Sequence, residues 1–337
     1  MTRRRAIALF AATLAVAARA ALGRPAAGRR RIGVLGNIDA YVQFAEWTSF
    51  VDELGRRGHL EGRDVEFVHR YAGTYAEPEA STRLARLAAE LVAMKVDLIY
   101  AVDDGGSGLA AKNATRTIPI VFDRSWHDPV EAGLVASLAR PGGNVTGNAV
   151  LGAQLEYKTI QVLVEAVGKG VTVGAVHSRA LKSWPRFREV STARQAAARA
   201  MGVRLEFFEA DSVEDLRQAL PRMLAAGIRA VKFDDAEVFS RQRGDVAALF
   251  LAHRMPAICT EPAYAHAGLL LGFGWDAADI ARRSAAYVDR ILRGAKPSDL
   301  PVEQVAKVKL VVNRATARAI GLVIPPALLA RADEVIE

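Results

Sequence analysis

Residues 118–147 read IPIVFDRSWHDPVEAGLVASLARPGGNVTG, and this stretch decides the fold class. Its apolar, β-branched start, residues 118–122, is typical of a buried strand in a parallel sheet. The apolar residues stop at the carboxyl end of that strand, and the polar run 123–128 (DRSWHD) follows. Ligands of open α/β sheets bind at such strand ends. The stretch therefore predicts a parallel sheet with a binding edge after this strand.

Strands and helices alternate on both sides of this stretch. A short helix is predicted over 129–139, and a strand over 144–150 leads into a second series of elements. Strict alternation is that of a doubly wound parallel sheet, and it occurs twice, so we expect an α/β protein with two such lobes. The predicted strands are 31–35, 65–71, 96–102, 118–122, 171–176, 204–208, 230–233 and 257–260, and the predicted helices are 41–58, 81–94, 109–115, 154–167, 191–201, 213–225 and 241–253.

The charge distribution argues against a nucleic-acid partner. The chain has 337 residues and a formal net charge of +8, but residues 1–27 hold five arginines and no acidic residue, which leaves +3 for the rest. That excess is too small to indicate a polyanion partner. The composition, 51% hydrophobic and 24% charged, is that of a globular protein of one large or two medium domains.

The first 27 residues are predicted to be a secretory leader. Arg3-Arg4-Arg5 is followed by an apolar segment, residues 6–18, that is too short to span a bilayer. Ala18-Arg19-Ala20 matches an A-x-A cleavage site, and the arginine run also suits a twin-arginine signal. The leader holds no cysteine that could carry a lipid anchor. We therefore expect an exported, periplasmic protein without a lipid anchor.

Several segments of the chain resemble a known family, the ABC-transporter substrate-binding proteins of the type I periplasmic-binding-protein fold. The branch in question includes binders of aromatic amino acids. The resemblance covers nearly all of the chain after the leader, and the segments that carry it are IPIVF (118–122), DPVEAGLVASLARPGGNVTG (128–147), AGLLLGFG (267–274), RRSAAYVDRILRGAKPSDLPVEQ (282–304) and IGLVIPPALLARADEVIE (320–337).

The resemblance implies two lobes joined by a multi-strand hinge that closes on a ligand. It places residues 30–147 and about 272–300 in lobe 1, and residues 148–271 and about 301–337 in lobe 2. It also implies the solute-binding component of an ABC importer, which takes an amino acid or related polar metabolite, docks on a membrane permease and is a monomer. A periplasmic sensor that presents its liganded form to a signalling receptor would use the same fold.

An amino-acid ligand asks for three kinds of group at the strand ends. Its ammonium needs a carboxylate such as Asp123, its carboxylate needs N–H or O–H donors such as those of residues 105–107, and its side chain needs an apolar wall. Asp235, Gly106 and Trp184 are further candidates of these kinds. The predicted ligand-binding residues are Asn37, Tyr41, Asp104, Gly105, Ser107, Asp123, Trp126, Ser178, Asp234, Glu261 and Tyr264.

Some of these residues have a structural alternative. Asp104 and Asp128 suit helix N-caps, Gly105-Gly106 suits a tight turn, and Trp126 suits packing. The chain also departs from the family in two loops. The family often has small or hydroxylated residues where Asp103-Asp104 stands, and it usually has a short Gly-containing segment where residues 124–127 stand. These departures put an aromatic amino acid in doubt and permit a different ligand, a cationic one included.

Known catalytic and cofactor motifs are missing from the sequence. It contains no G-x-G-x-x-G after the first strand, no P-loop, no G-x-S-x-G and no H-E-x-x-H, and its six histidines do not show metal-site spacing. The sole cysteine, Cys259, lies in an apolar run and is expected to be a buried, inert thiol. We expect no enzyme, no cofactor and no metal site. A hydrolase or isomerase would need two carboxylates with shifted pKa values converging in the cleft.

Overall fold

The computed structural model describes residues 28–37, 45–73, 79–102, 106–125, 128–150, 152–179, 187–234, 239 and 241–337. Within these ranges, no helix is both long and apolar enough to cross a membrane. The strands are β1 (Arg30–Gly36), β2 (Val65–Tyr71), β3 (Leu98–Val102), β4 (Ile120–Ser125), β5 (Val145–Val150), β6 (Thr172–His177), β7 (Arg204–Glu209), β8 (Ile228–Phe233), β9 (Ala257–Cys259), β10 (Leu271–Trp275), β11 (Glu303–Val305), β12 (Val308–Asn313) and β13 (Glu334–Ile336). The helices are α1 (Ala45–Arg56), α2 (Ala80–Ala93), α3 (Gly106–Ala114), α4 (Gly152–Val167), α5 (Phe187–Ala200), α6 (Val213–Ala225), α7 (Arg243–Ala252), α8 (Ala263–His266), α9 (Ala277–Leu292), α10 (Arg314–Ile320) and α11 (Pro326–Arg331).

The strands form two separate sheets. The first has the order β11-β5-β4-β3-β1-β2, and its neighbouring strands are parallel. The second has the order β13-β12-β10-β9-β8-β6-β7 and is parallel except at the β10–β12 pair. The predicted fold class, an α/β protein with two doubly wound lobes, is confirmed.

Apolar side chains cover both faces of each sheet. Val34 and Leu35 of β1 are both fully buried but belong to different clusters, because successive side chains of a strand point to opposite faces. Ala175 and Val176 of β6 divide in the same way in the second sheet. Burial on both faces explains why the sequence shows continuous apolar runs here instead of an alternating pattern.

The chain passes between the two sheets three times. It leaves the first sheet between β5 and α4, returns between β10 and α9, and leaves again between β11 and β12. Helix α9 follows a strand of the second sheet, yet its residues Ala281, Ala285 and Val288 are buried in a core cluster of the first. Strand β11, which follows α9 in the chain, also belongs to the first sheet, because it hydrogen-bonds to β5.

Two strands lie on the opposite side of the lobe boundaries that we expected. Residues from about 272 were assigned to lobe 1, but β10 (Leu271–Trp275) pairs with β9 and β12 of the second sheet. Residues from about 301 were assigned to lobe 2, but β11 (Glu303–Val305) pairs with β5 of the first sheet. Both strands are short, and a short apolar run carries no signal for which sheet edge is open to it. Sheet membership therefore shifts both boundaries by a few residues.

The helix predicted over 129–139 is absent, and this prediction is wrong. Asp128 starts a helical turn, because its Oδ1 accepts the backbone N–H of Val130 at 2.7 Å. Gly133 then takes a φ of +72°, which ends the turn after one cycle. Leu134 and Val135 are buried against the core of the first sheet. The apolar residues that suggested a helix thus anchor a series of turns.

Candidate functional site

The candidate site lies where the carboxyl ends of the two sheets supply loops. Tyr41, Asp104, Gly105, Trp126, Trp184 and Asp235 lie outside the described residues. Asn37, directly after β1, and Ser107, in the first turn of α3, are both fully buried. The remaining predicted residues lie in separate surroundings.

Asp123 lies inside strand β4 and not in the loop after it. The sequence predicted that the strand ends at Phe122, but β4 continues to Ser125, with a shift in its register against β5. A break in strand register turns side chains relative to a regular strand, and such breaks are common next to binding sites. The polar residues Asp123, Arg124 and Ser125 are therefore part of the carboxyl end of strand β4.

Four buried side chains form what we call the Asp123 cluster: Tyr100, Asp123, Asn148 and Ser284. Asp123 Oδ1 accepts hydrogen bonds from the Tyr100 hydroxyl at 2.8 Å and from the Ser284 hydroxyl at 3.1 Å. The Asn148 side-chain amide donates to the Asp123 carbonyl at 3.0 Å and to Ser284 Oγ at 2.9 Å. Ser284 lies on α9, so the cluster connects the end of β4 with β5 and with the helix that returns from the second sheet.

The Asp123 carboxyl lies in surroundings that disfavour its charge. Its residue is only 2% exposed, and burial raises its pKa, although the charge of Arg124 and the hydrogen bonds from Tyr100 and Ser284 oppose this rise. Among the described residues, no lysine, arginine or histidine nitrogen forms an ion pair with it. A cation that came close to this carboxyl would thus relieve an existing electrostatic cost.

Four charged side chains of the second lobe form what we call the Lys232 network: Glu156, Arg194, Lys232 and Asp234. Lys232 Nζ lies 2.7 Å from Glu156 Oε2 and also contacts Asp234 Oδ1. Arg194 Nη2 lies 3.0 Å from Glu156 Oε1, and its Nη1 lies 3.5 Å from Asp234 Oδ2. The two positive and two negative charges balance. Burial alone would raise the pKa of Asp234, but Lys232 and Arg194 lower it overall.

Asp234 therefore differs from Asp123 as a candidate for binding an ammonium group. Its charge is already compensated by two cations inside the protein, whereas the described surroundings of Asp123 offer no ion pair. The nearby His177, at the end of β6, is 2% exposed and packs edge-on against Phe207 with ring centroids 5.7 Å apart. Burial lowers the pKa of His177.

Ser178 and Tyr264 have structural surroundings. The Ser178 hydroxyl donates to Asp211 Oδ1 at 2.6 Å, within the turn that follows β7. Tyr264 was predicted to form part of a cleft wall, but it is completely buried and packs in the core, with its ring 5.6 Å from that of Phe233. Tyr264 lies on the buried face of the short helix α8. Burial of its large aromatic ring is favourable, because exposure would leave that apolar surface in water.

The loop that carries Glu261 lies very close to strand β10. A Cβ atom on Gly274 would lie 1.7 Å from the Thr260 carbonyl oxygen, and a Cβ atom on Gly272 would lie 2.7 Å from Pro262 Cα. Only glycine leaves room for this approach. The two glycines in LGFGW thus fix the position of the loop around Glu261.

A family model described as ABC transporter substrate binding protein matches residues 53–336 of the chain. The chain belongs to this family. The resemblance noted in the sequence is confirmed, and this family consists of binding proteins and not of enzymes.

The chain is also similar to individual proteins and to solved structures of the same fold. The tyrosine-binding protein of Clostridioides difficile (strain R20291) is 25% identical over 283 residues, which cover 81% of this chain and 75% of that protein. A conserved domain protein from Vibrio cholerae O1 biovar El Tor has a TM-score of 0.76 and 24% identity, over 91% of this chain and all of that one. An ABC domain from Streptococcus pneumoniae in complex with L-Trp has a TM-score of 0.74 and 22% identity, over 92% of this chain and all of that one.

Sequence reasoning missed six of the eight residues that form the two polar clusters in this substrate-binding protein: Tyr100, Asn148, Ser284, Glu156, Arg194 and Lys232. Ser284 meets Asp123 across 161 positions of sequence, which no local pattern reveals. Lys232 did carry a signal, because a lysine inside the apolar strand AVKF requires a buried counter-charge. No local pattern indicates that Glu156 and Asp234 supply this counter-charge.

Proposed function

We propose that this protein is the extracytoplasmic solute-binding component of an ABC importer. It captures a small polar metabolite, an amino acid or a related compound, between its two lobes, and it delivers the closed form to a membrane permease. Family membership and the two-sheet fold support this function. The ATPase of the transporter would supply the energy, so the chain needs no catalytic residues of its own.

The observation that carries the proposal is the link between the Asp123 cluster and the segments that cross between the lobes. Asn148 lies on β5, two residues before the first crossing begins, and Ser284 lies on α9, after the second. Glu303 of β11, opposite Asn148 in the ladder, precedes the third. A ligand bound at Asp123 would thus act next to all three crossings, where a change in lobe orientation must originate.

We assign the ligand ammonium to Asp123. A buried carboxylate gains most from a cationic group where it has no ion pair, and the described residues offer Asp123 none, whereas Asp234 is already compensated by Lys232 and Arg194. An amino acid also agrees with the relatives, one of which is named for tyrosine and another of which holds L-Trp. Ligand contacts from both lobes would then favour the closed form by a shift in population.

The first test is to identify the ligand. Native mass spectrometry of the mature protein is expected to show about one amino acid bound per chain, because the cleft forms a single site. Denaturation then releases this compound for identification. A thermal-shift screen with the twenty L-amino acids is expected to select the same compound. An empty protein that shows no thermal shift with any amino acid would contradict the proposed function.

The second test addresses Asp123. We expect Asp123→Asn to weaken binding of the selected amino acid at least about 30-fold, because removal of one member of a buried charge pair costs about 2 kcal/mol or more. The amide can still accept from Tyr100 and Ser284, so the fold is retained. Asp52→Asn, an exposed exchange on α1, is the matched control. Equal affinities of the two variants in isothermal titration calorimetry would remove Asp123 from the site.

A further inference from the structure

Helix α5 carries two buried donors to which the described residues offer no acceptor. Ser191 Oγ and Arg194 Nε are both shielded from solvent, and neither has a hydrogen-bond partner in the part of the chain that the structure describes. The two residues are three positions apart on one helix, so their side chains are neighbours on the same face. Donors left unpaired in the interior are destabilising, and this pair therefore calls for an acceptor from elsewhere.

The position of Arg194 relates these donors to the binding edge of the second sheet. Its Nη1 faces Asp234, the first residue after β8, and its Nη2 faces Glu156 in the second turn of α4. The guanidinium thus lies at the carboxyl end of the sheet, where ligands of α/β folds bind. Both Nη atoms are engaged inside the Lys232 network, whereas Nε has no hydrogen-bond partner within the described part of the chain.

The chemistry of the two donors selects the ligand group. One donor belongs to a permanently charged, planar guanidinium and the other to a hydroxyl that rotates to suit its partner. A carboxylate has two oxygens in one plane, so one can accept from Nε–H and the other from the serine hydroxyl. An ammonium group has no acceptor to offer. A neutral amide offers one oxygen and brings two N–H donors toward the guanidinium.

We propose that Ser191 and Arg194 bind the carboxylate of the solute from the second lobe. This inference rests on the proposed function and deepens it: Asp123 of the first lobe binds the ammonium, so a zwitterionic amino acid connects the two lobes by its opposite charges. It differs from the sequence-based expectation that donors of residues 105–107 hold the carboxylate. The Lys232 network holds the Arg194 side chain in place, and Glu156 and Asp234 act as positioning residues.

Two variants distinguish the effect of losing a donor from the effect of losing the charges of the Lys232 network. Ser191→Ala removes one donor without removing a charge. Arg194→Lys keeps a positive charge beside Glu156 and Asp234 but removes Nε–H. The matched control is Arg199→Lys, which makes the same exchange at an exposed arginine of the same helix. We expect Ser191→Ala and Arg194→Lys each to weaken acid binding by about tenfold or more, as for loss of a hydrogen bond to a charged group.

The probes are L-tyrosine and L-tryptophan, their amides, and the ammonium-free acids 4-hydroxyphenylacetate and indole-3-acetate. Affinities are measured by titration calorimetry, and the Nε–H resonance of Arg194, assigned from its loss in Arg194→Lys, is followed by NMR. The acids are expected to shift this resonance and the amides to leave it unchanged. Ser191→Ala is expected to weaken binding of the two amino acids and the two ammonium-free acids but not of the amides, and Arg199→Lys is expected to weaken binding of none of them.

The outcomes distinguish this inference from the proposed function. If an amino acid binds but its amide binds equally well, or if Ser191→Ala weakens acid and amide alike, the carboxylate subsite is refuted and the receptor function stands. If the ammonium-free acids shift the Arg194 resonance while no amino acid binds, the subsite stands and the proposed function fails. If none of the acids shifts the resonance, the subsite is refuted.

Discussion

Lys232 and Lys309 provide two lysine–glutamate pairs of nearly equal length in very different surroundings. Lys232 Nζ lies 2.7 Å from Glu156, and the two side chains are 1% and 5% exposed. Lys309 Nζ lies 2.6 Å from Glu334, and the two side chains are 35% and 36% exposed. Replacement of each lysine by methionine removes the charge and keeps an unbranched apolar chain. The comparison thus isolates the effect of burial on one interaction.

We expect Lys232→Met to lower the free energy of unfolding by about 3–5 kcal/mol, because it leaves Glu156 and Asp234 buried with Arg194 as their shared cation. Lys309→Met is expected to lower it by no more than about 1 kcal/mol, since solvent screens an exposed pair. The assay is urea denaturation followed by circular dichroism, with linear extrapolation to water. Because two lobes can unfold in separate transitions, each variant is compared with the wild-type transition that it shifts.

A third variant checks the cause. Lys232→Met combined with Glu156→Gln removes one charge of each sign and leaves Arg194 paired with Asp234. We expect this double variant to be more stable than Lys232→Met alone, because the excess negative charge is gone. If Lys232→Met and Lys309→Met cost the same, or if Glu156→Gln worsens the loss, the charge balance of the network is not what stabilises this part of the lobe.

Two further predictions concern stability. Burial raises the pKa of the Asp123 carboxyl, so the folded protein binds the carboxyl proton more tightly than the unfolded chain does. This difference in proton binding stabilises the fold most below the unfolded pKa of about 3.9, and the stabilisation is lost as pH rises through the folded pKa. Asp123→Asn should remove that loss, so melting temperatures measured across the acid range should show a smaller decline toward neutral pH than in the wild type; parallel curves would contradict this. Gly274→Ala places a methyl group against the Thr260 carbonyl and should cost about 1–3 kcal/mol, whereas Gly244→Ala, with open space in the first turn of α7, should be neutral or stabilising. Thermal denaturation of both variants tests this, and equal melting temperatures would show that the Glu261 loop adjusts freely.

Local patterns were sufficient to predict most of the fold. Continuous apolar runs such as IPIVF and the alternation with helices led to two doubly wound sheets, because burial on both faces leaves its mark on each strand separately. The failures lie where a choice depends on distant residues. The positive φ at Gly133 replaced a helix by turns, and the short strands β10 and β11 joined sheets that only the assembled ladders determine.

The candidate site was less predictable than the fold. Asp123 and Asp234 were both candidates as carboxylates after strands, and nothing local distinguishes them. The structure separates them by their partners: hydroxyl groups of Tyr100 and Ser284 for one, and the cations Lys232 and Arg194 for the other. These partners come from other strands and helices, so they become neighbours only when the chain is folded.

The three passages of the chain between the sheets also constrain the order in which the protein is built during synthesis. The first sheet is complete only when α9 and β11 have been synthesised, and both follow strands β6–β10 of the second sheet in the sequence. Until they are made, the face formed by Ile32, Tyr100 and Val121 lacks part of its cover. Neither lobe corresponds to a continuous gene segment. A nascent chain that stops before residue 277 therefore exposes apolar residues of this face, and exposed apolar surface of this kind is what holding chaperones bind.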